Sequence, residues 1–129
     1  MNKLSEHPSG SRTSYFGDQI KLSLNDAIMY FGEPTYKGSI DEKVQYEWVF
    51  KGEDGSVFTL YDWKQSVILD EQPIAWHIGA SSRMASLEGR NELIEFIDFC
   101  VQIKLSLSDV ANRMQKLIFK TKEIWNYLR

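Results

Sequence analysis

The chain is poor in the residues that build most metal and nucleophile sites. It has one cysteine, Cys100, and two histidines, His7 and His77. A single cysteine cannot close an internal disulfide, which fits a reducing compartment. Zinc would need three or four Cys, His or carboxylate ligands at suitable spacing, so no metal is expected. No apolar run approaches the roughly 18 residues that a membrane span requires, and Met1 to Gly10 is polar, unlike a secretory leader. A Gly-rich phosphate loop is missing too: Gly52-Glu53-Asp54-Gly55 lacks the lysine and the following helix. The formal charge of −3 gives no global drive toward nucleic acid. These absences point to a cytoplasmic protein with no nucleic-acid or membrane partner.

What is present is aromatic: four Trp, six Tyr and seven Phe in 129 residues. That length suits one domain that buries its own core. Residues 1–15, rich in Ser, Gly and Asn, read as a flexible arm. Phe16 to Leu22 reads as a short strand. Ser23 caps a short helix whose apolar face is Ala27, Ile28, Tyr30 and Phe31, and Gly32 and Pro34 end it. Val44, Tyr46, Trp48 and Phe50 alternate along one strand. The Gly52–Gly55 turn returns into a second strand, Val57 to Lys64. Gln65 to Pro73 is a loop, and Ile74 to Gly79 a further strand. Ser86 to Leu105 reads as a helix, and Ser106-Leu107-Ser108-Asp109 as the cap of another. The expectation is one α+β domain over 1–129. A small antiparallel sheet of about four strands and a short helix occupy 16–79, and a two-helix hairpin spans 86–129. Arg113, Lys116, Lys120, Lys122 and Arg129 make the last helix basic, whereas Glu88, Glu92, Glu95 and Asp98 make the one before it acidic. Val110, Met114, Leu117, Ile118, Ile124 and Leu128 form an apolar stripe that a small sheet does not need. A homo-oligomer, most simply a dimer, is the expectation.

Two strand ends carry the candidate site, Tyr61-Asp62-Trp63-Lys64 and Trp76-His77-Ile78-Gly79. A nucleobase is held by a flat aromatic face and edge hydrogen bonds, and a phosphate by Arg, Lys or backbone amides. Tyr61, Trp63 and Trp76 offer faces, His77 an edge contact, and Arg12, Lys64 and Arg83 cations. If the two strand ends lie at one rim, these groups converge there. Trp48, Trp63 and Trp76 could serve as base-stacking platforms but read more readily as core, because large aromatics dominate burial in small domains. His77 with Asp62 is a candidate general base and its orienting carboxylate, or a polar residue at a sheet edge. Cys100, among Phe96, Ile97 and Val101, reads as inert core.

The ordered series Ser9-Gly10-Ser11-Arg12-Thr13-Ser14, Phe31-Gly32-Glu33-Pro34, Tyr46-Glu47-Trp48, Asp54-Gly55, Tyr61-Asp62-Trp63-Lys64 and Trp76-His77-Ile78-Gly79 resembles a family of small phage proteins over about residues 9–85. Ala80 departs from that pattern, as does the long C-terminal extension. Small accessory phage proteins are often inhibitors of bacterial defence. Among them the anti-Thoeris sponges are similar to this chain in broad architecture. The resemblance implies a counter-defence protein of the host cytoplasm that binds a nucleotide-type immune signal without catalysis or cofactor. A second reading is an inhibitor or adaptor that binds a host defence protein. A third is a small hydrolase using His77 and Asp62.

Overall fold

The computed structural model describes residues 1–65 and 67–128; Ser66, within the expected 65–73 loop, and Arg129 lie outside the described residues. The chain is α+β. Its elements run β1 (Asn2–Leu4), β2 (Ser14–Leu22), α1 (Leu24–Phe31), β3 (Tyr36–Lys37), β4 (Tyr46–Lys51), β5 (Val57–Tyr61), β6 (Ile74–Ala80) and α2 (Arg83–Leu128). Two units are distinguished along the chain, Met1–Glu95 and Phe96–Arg129.

In the first unit the strands form one antiparallel sheet in the order β1-β4-β5-β6-β2, with β3 also on β4. The expected hairpin is β4–β5, closed by a turn in which Gly55 takes a positive φ of 86°. The expected four strands become six because the edge of β4 is covered twice. β1 pairs with one end of it (Lys3 with Phe50) and β3 with the other (Tyr36 with Glu47). Thr35 spans the gap: its hydroxyl donates to the Leu4 carbonyl and accepts from the Val49 amide. Residues 1–15, expected as an arm, therefore include a paired strand. A two- or three-residue strand has too little periodicity to read from sequence.

One face of the sheet is the core. Trp48, Phe50, Phe58, Leu60, Trp76 and Ile78 point there and are fully or almost fully buried. α1 starts at Ser23, whose hydroxyl accepts from the Asp26 amide, and stops at Gly32, which has a φ of 74°. It lays Phe31 edge-on against Trp48 and Phe50. The first turns of α2 cover the other end of the same face. They come so close that a Cβ on Gly89 would stand 2.7 Å from the Phe58 ring.

In place of the helical hairpin expected over 86–129, the described residues up to Leu128 form one helix. Ser106-Leu107-Ser108-Asp109 lies inside α2 rather than capping a second helix. Gly89 is the last glycine of the chain and Pro73 the last proline, so nothing after them breaks a helix. Serine and aspartate favour caps only where the preceding chain leaves the helix. Cys100, expected in the core, is half-buried on this helix. No helix among the described residues is long and apolar enough to cross a membrane.

Candidate functional site

The face of the sheet opposite α1 and the first turns of α2 carries two cross-strand rows of side chains. Cross-strand register sets Leu4, Val49, Thr59, Gly79 and Tyr15 in one row, and Tyr36, Glu47, Tyr61, His77 and Gln19 in the next. The chain passes from β1 at one edge to β2 at the other through residues 5–13, and this segment roofs the first row. Val49 and Thr59 are buried there, and Thr13 lies against Gly79. Gly79 is confined to glycine by the packing, since a Cβ would meet Thr59 Oγ1 at 2.6 Å. His7, within the segment, donates its backbone N–H to the Tyr36 hydroxyl at 2.7 Å.

The second row stays partly open. Between Tyr15 and Gln19, β2 carries a bulge containing Gly17, whose φ is 101°. The bulge lets Tyr15 swing over its neighbour row. Its ring stacks on His77 with centroids 4.0 Å apart, and its hydroxyl accepts from Gln19 Nε2 at 2.7 Å. The helix side braces the same bulge: Ser86 Oγ donates to Asp18 Oδ2, and Arg90 Nε to the Gln19 carbonyl. Tyr61 meets His77 edge-on at 5.6 Å and Trp63 edge-on at 6.4 Å.

Burial tunes this row toward uncharged forms. It lowers the His77 pKa, raises that of Glu47, and raises the Tyr61 hydroxyl further with help from Glu47 and Tyr15. Perturbed titratable groups side by side on an open surface mark a candidate site. A groove of about 340 Å³, lined by Tyr36, Lys37, Glu42, Gln45 and Glu47 among others, continues the row past β4.

The linkage has a definite sign. Because the folded-state pKa of Glu47 is raised above 4.5, its contribution to stability is full below that pH and is lost as pH rises through the folded value. Glu47→Gln is therefore expected to be more stable than wild type at pH 7, with the difference vanishing below about pH 4. His77 acts oppositely: its contribution is present above 6.5 and is lost as pH falls through its lowered value. Urea midpoints of both proteins from pH 4 to 8 check this.

Beyond Tyr61 the chain turns sharply. The Asp62 carboxylate is buried and accepts from the backbone amides of Gln45, at 2.9 Å, and Tyr46, at 2.8 Å. Burial raises its pKa, while these bonds lower it less. The Lys64 amide donates to the Lys43 carbonyl at 2.8 Å, and Lys64 is held at a φ of 54°. This is the left-handed region, which costs a side-chain-bearing residue roughly 1 kcal/mol. The turn displays Trp63, 39% exposed, with Lys64 Nζ 5.6 Å and Lys43 Nζ 5.9 Å from its ring.

The expected site residues thus separate. Tyr61, His77, Trp63 and Lys64 lie together. Trp76 is 0% exposed, packs edge-on against Trp48 at 5.3 Å and donates its indole N–H to the Leu22 carbonyl, so it is core. The expected convergence at one rim fails because β5 and β6 are antiparallel. Tyr61 pairs with His77 and Phe58 with Ala80, so Lys64 leaves at one end of the sheet and Arg83 follows at the other. Arg12 precedes Ser14, the partner of Ala80, and belongs to the Arg83 end. Asp62 is committed to the Gln45 and Tyr46 amides, while the imidazole of His77 lies between Tyr15 and Tyr61. That geometry does not assemble an acid–base pair.

Sequence reasoning missed Tyr15, Glu47 and Lys43. Glu47 was available as the out-of-phase residue of the β4 alternation. Lys43 and Tyr15 depended on a turn and a bulge. Among the described residues no group of three His, Cys, Asp or Glu side chains could hold a metal ion. Compared with family models, with curated proteins and with solved structures, the chain finds no match.

Proposed function

We propose that the protein is a binding protein for a small nucleotide-type anion, held at the Trp63 turn and the adjoining Tyr61–His77 row. The observation that carries the reading is the exposed Trp63 ring flanked by the ammonium groups of Lys43 and Lys64, on a turn that holds Lys64 in a strained conformation. Strain of this kind concentrates at functional sites. A planar base stacks on the indole, and the two lysines meet the phosphates. The resemblance to small phage proteins supplies the biological role: sequestration of a nucleotide immune signal in the host cytoplasm, by binding alone.

Lys64→Gly separates function from folding. Glycine accepts the positive φ, so stability is expected to hold or to rise by up to about 1 kcal/mol. Affinity for the anion is expected to fall by about 1–3 kcal/mol as a charge-assisted contact is lost. Lys43→Ala is expected to weaken binding similarly, and Arg83→Ala, at the opposite end of the sheet, to leave it unchanged. Calorimetric titration of a panel of linear and cyclic nucleotides reads all three. Failure of every nucleotide to bind wild type discards the reading. Dependence on Arg83 with none on the lysines moves the site to the other end of the sheet.

A further inference from the structure

The described residues of the second unit, by themselves, form a single helix, and residues 102–128 are exposed along their whole length. One set of its apolar side chains is regularly spaced, while Leu105, Ile118, Phe119 and Trp125 fall outside it. From Cys100 that set recurs at alternating steps of three and four. Cys100, Leu107, Met114, Thr121 and Leu128 occupy the a positions of a heptad, and Ile103, Val110, Leu117 and Ile124 the d positions. Every member but Thr121 is apolar. Leu107, Met114, Leu117 and Leu128 are each more than half exposed. A strict seven-residue period sustained this long is the signature of a left-handed supercoil, whose partner must be a helix of the same period. Another copy of this chain meets that requirement.

We infer that residues 100–124 pair with a second copy as an antiparallel coiled-coil dimer. Three observations set it against a parallel dimer. β-branched Ile103, Val110 and Ile124 sit at d, where a parallel dimer favours leucine. Second, a parallel register would lay the basic run Arg113, Lys116, Lys120 and Lys122 beside its own copy. An antiparallel one sets it beside 102–111, whose only charged residues are Lys104 and Asp109. Third, the antiparallel register places small Ala111 of both copies at the two-fold axis, so the helices can approach. Arg113, also near the axis, is neutralised within its own helix by Asp109 at 3.1 Å. The layers become Cys100 with the partner's Ile124, Ile103 with the partner's Thr121, Leu107 with the partner's Leu117, and Val110 with the partner's Met114. Such a coil is about 36 Å long at 1.5 Å per residue. It buries on the order of 1,200 Å² in total, within the range of specific interfaces. This inference stands apart from the ligand reading and is tested without any ligand.

The lone cysteine provides the test. In the antiparallel register the two Cys100 residues lie about 36 Å apart along the axis, beyond the reach of a disulfide. Light scattering of the full chain at tens of micromolar is expected to give twice the 15.0 kDa chain mass. Oxidation of wild type is expected to leave it uncrosslinked on a non-reducing gel. Ile124→Cys, which faces Cys100 of the partner, is expected to crosslink into a dimer. Leu117→Glu, with a charge in a central layer, is expected to return a monomer whose near-ultraviolet circular dichroism is unchanged. A monomeric wild type overturns the inference, and so does a wild type that crosslinks through Cys100.

Discussion

Trp76→Ala is expected to destabilise the fold by about 3–5 kcal/mol, the range for large aromatics removed from a core. The indole has no exposed surface and packs edge-on against Trp48. It also satisfies the Leu22 carbonyl at 2.9 Å, where β2 gives way to α1. Truncation leaves a cavity and takes the indole donor from the part-buried Leu22 carbonyl, and the two costs add. Domains of this size have roughly 5–15 kcal/mol in total, so a large share of the stability goes. Trp76→Phe keeps most of the volume and loses the indole N–H, with an expected cost of about 1–3 kcal/mol. Equilibrium urea unfolding followed by circular dichroism measures both. A Trp76→Ala protein as stable as wild type would return this residue to the binding surface.

Asp62→Ala is expected to cost about 2–5 kcal/mol, because it strands two backbone donors at once, the buried amide of Gln45 and the part-buried amide of Tyr46. The chain there has just entered β4, and a carboxylate takes the place of a strand partner. Asp62→Asn retains one acceptor oxygen and is expected to lose less than the alanine variant. The consequence reaches the candidate site, since the same turn carries Trp63 and holds Lys64 against Lys43. Asp62→Ala is therefore expected to loosen both lysines. Hydrogen exchange of the Gln45 and Tyr46 amides is the direct readout: protection in wild type should vanish in the variant. Unchanged protection would show that water or another group replaces the carboxylate.

The parts of the fold that were legible in sequence are those with enough residues to show a period. The β4–β5 hairpin declares itself through Trp48, Phe50, Phe58 and Leu60, and α1 through Ser23 at one end and Gly32 at the other. β1 and β3 were hidden because their pairing is decided by the edge of β4, not by their own side chains. The continuity of α2 was hidden for a different reason. Ser106 and Asp109 are good caps, but a cap needs a break before it, and between Gly89 and Leu128 no glycine or proline makes one. The candidate site was half legible. Tyr61, Trp63, Lys64 and His77 were recognisable as a polar, aromatic strand end. Strand direction then removed Arg83 from them, and burial removed Trp76. Lys43 and Tyr15 joined through a left-handed residue and a bulge, features that hydrophobic alternation does not encode.

The roofing segment 5–13 has a consequence for how the chain is made. Its two flanking strands come before the rest of the sheet in chain order, yet their partners are β4 and β6, far along the chain. On the ribosome β2 has nothing to pair with until Ala80 has left the exit tunnel, whereas the β4–β5 hairpin can close as soon as Tyr61 emerges. β2 thus joins the sheet late, after a loop closure that spans most of the first unit. Folding of this kind, governed by distant contacts, runs in milliseconds to seconds rather than microseconds. A nascent chain stalled before β6 would display the unpaired inner edge of β5 and an unattached β2. In that state it is open to capture by a chaperone or by another copy of itself.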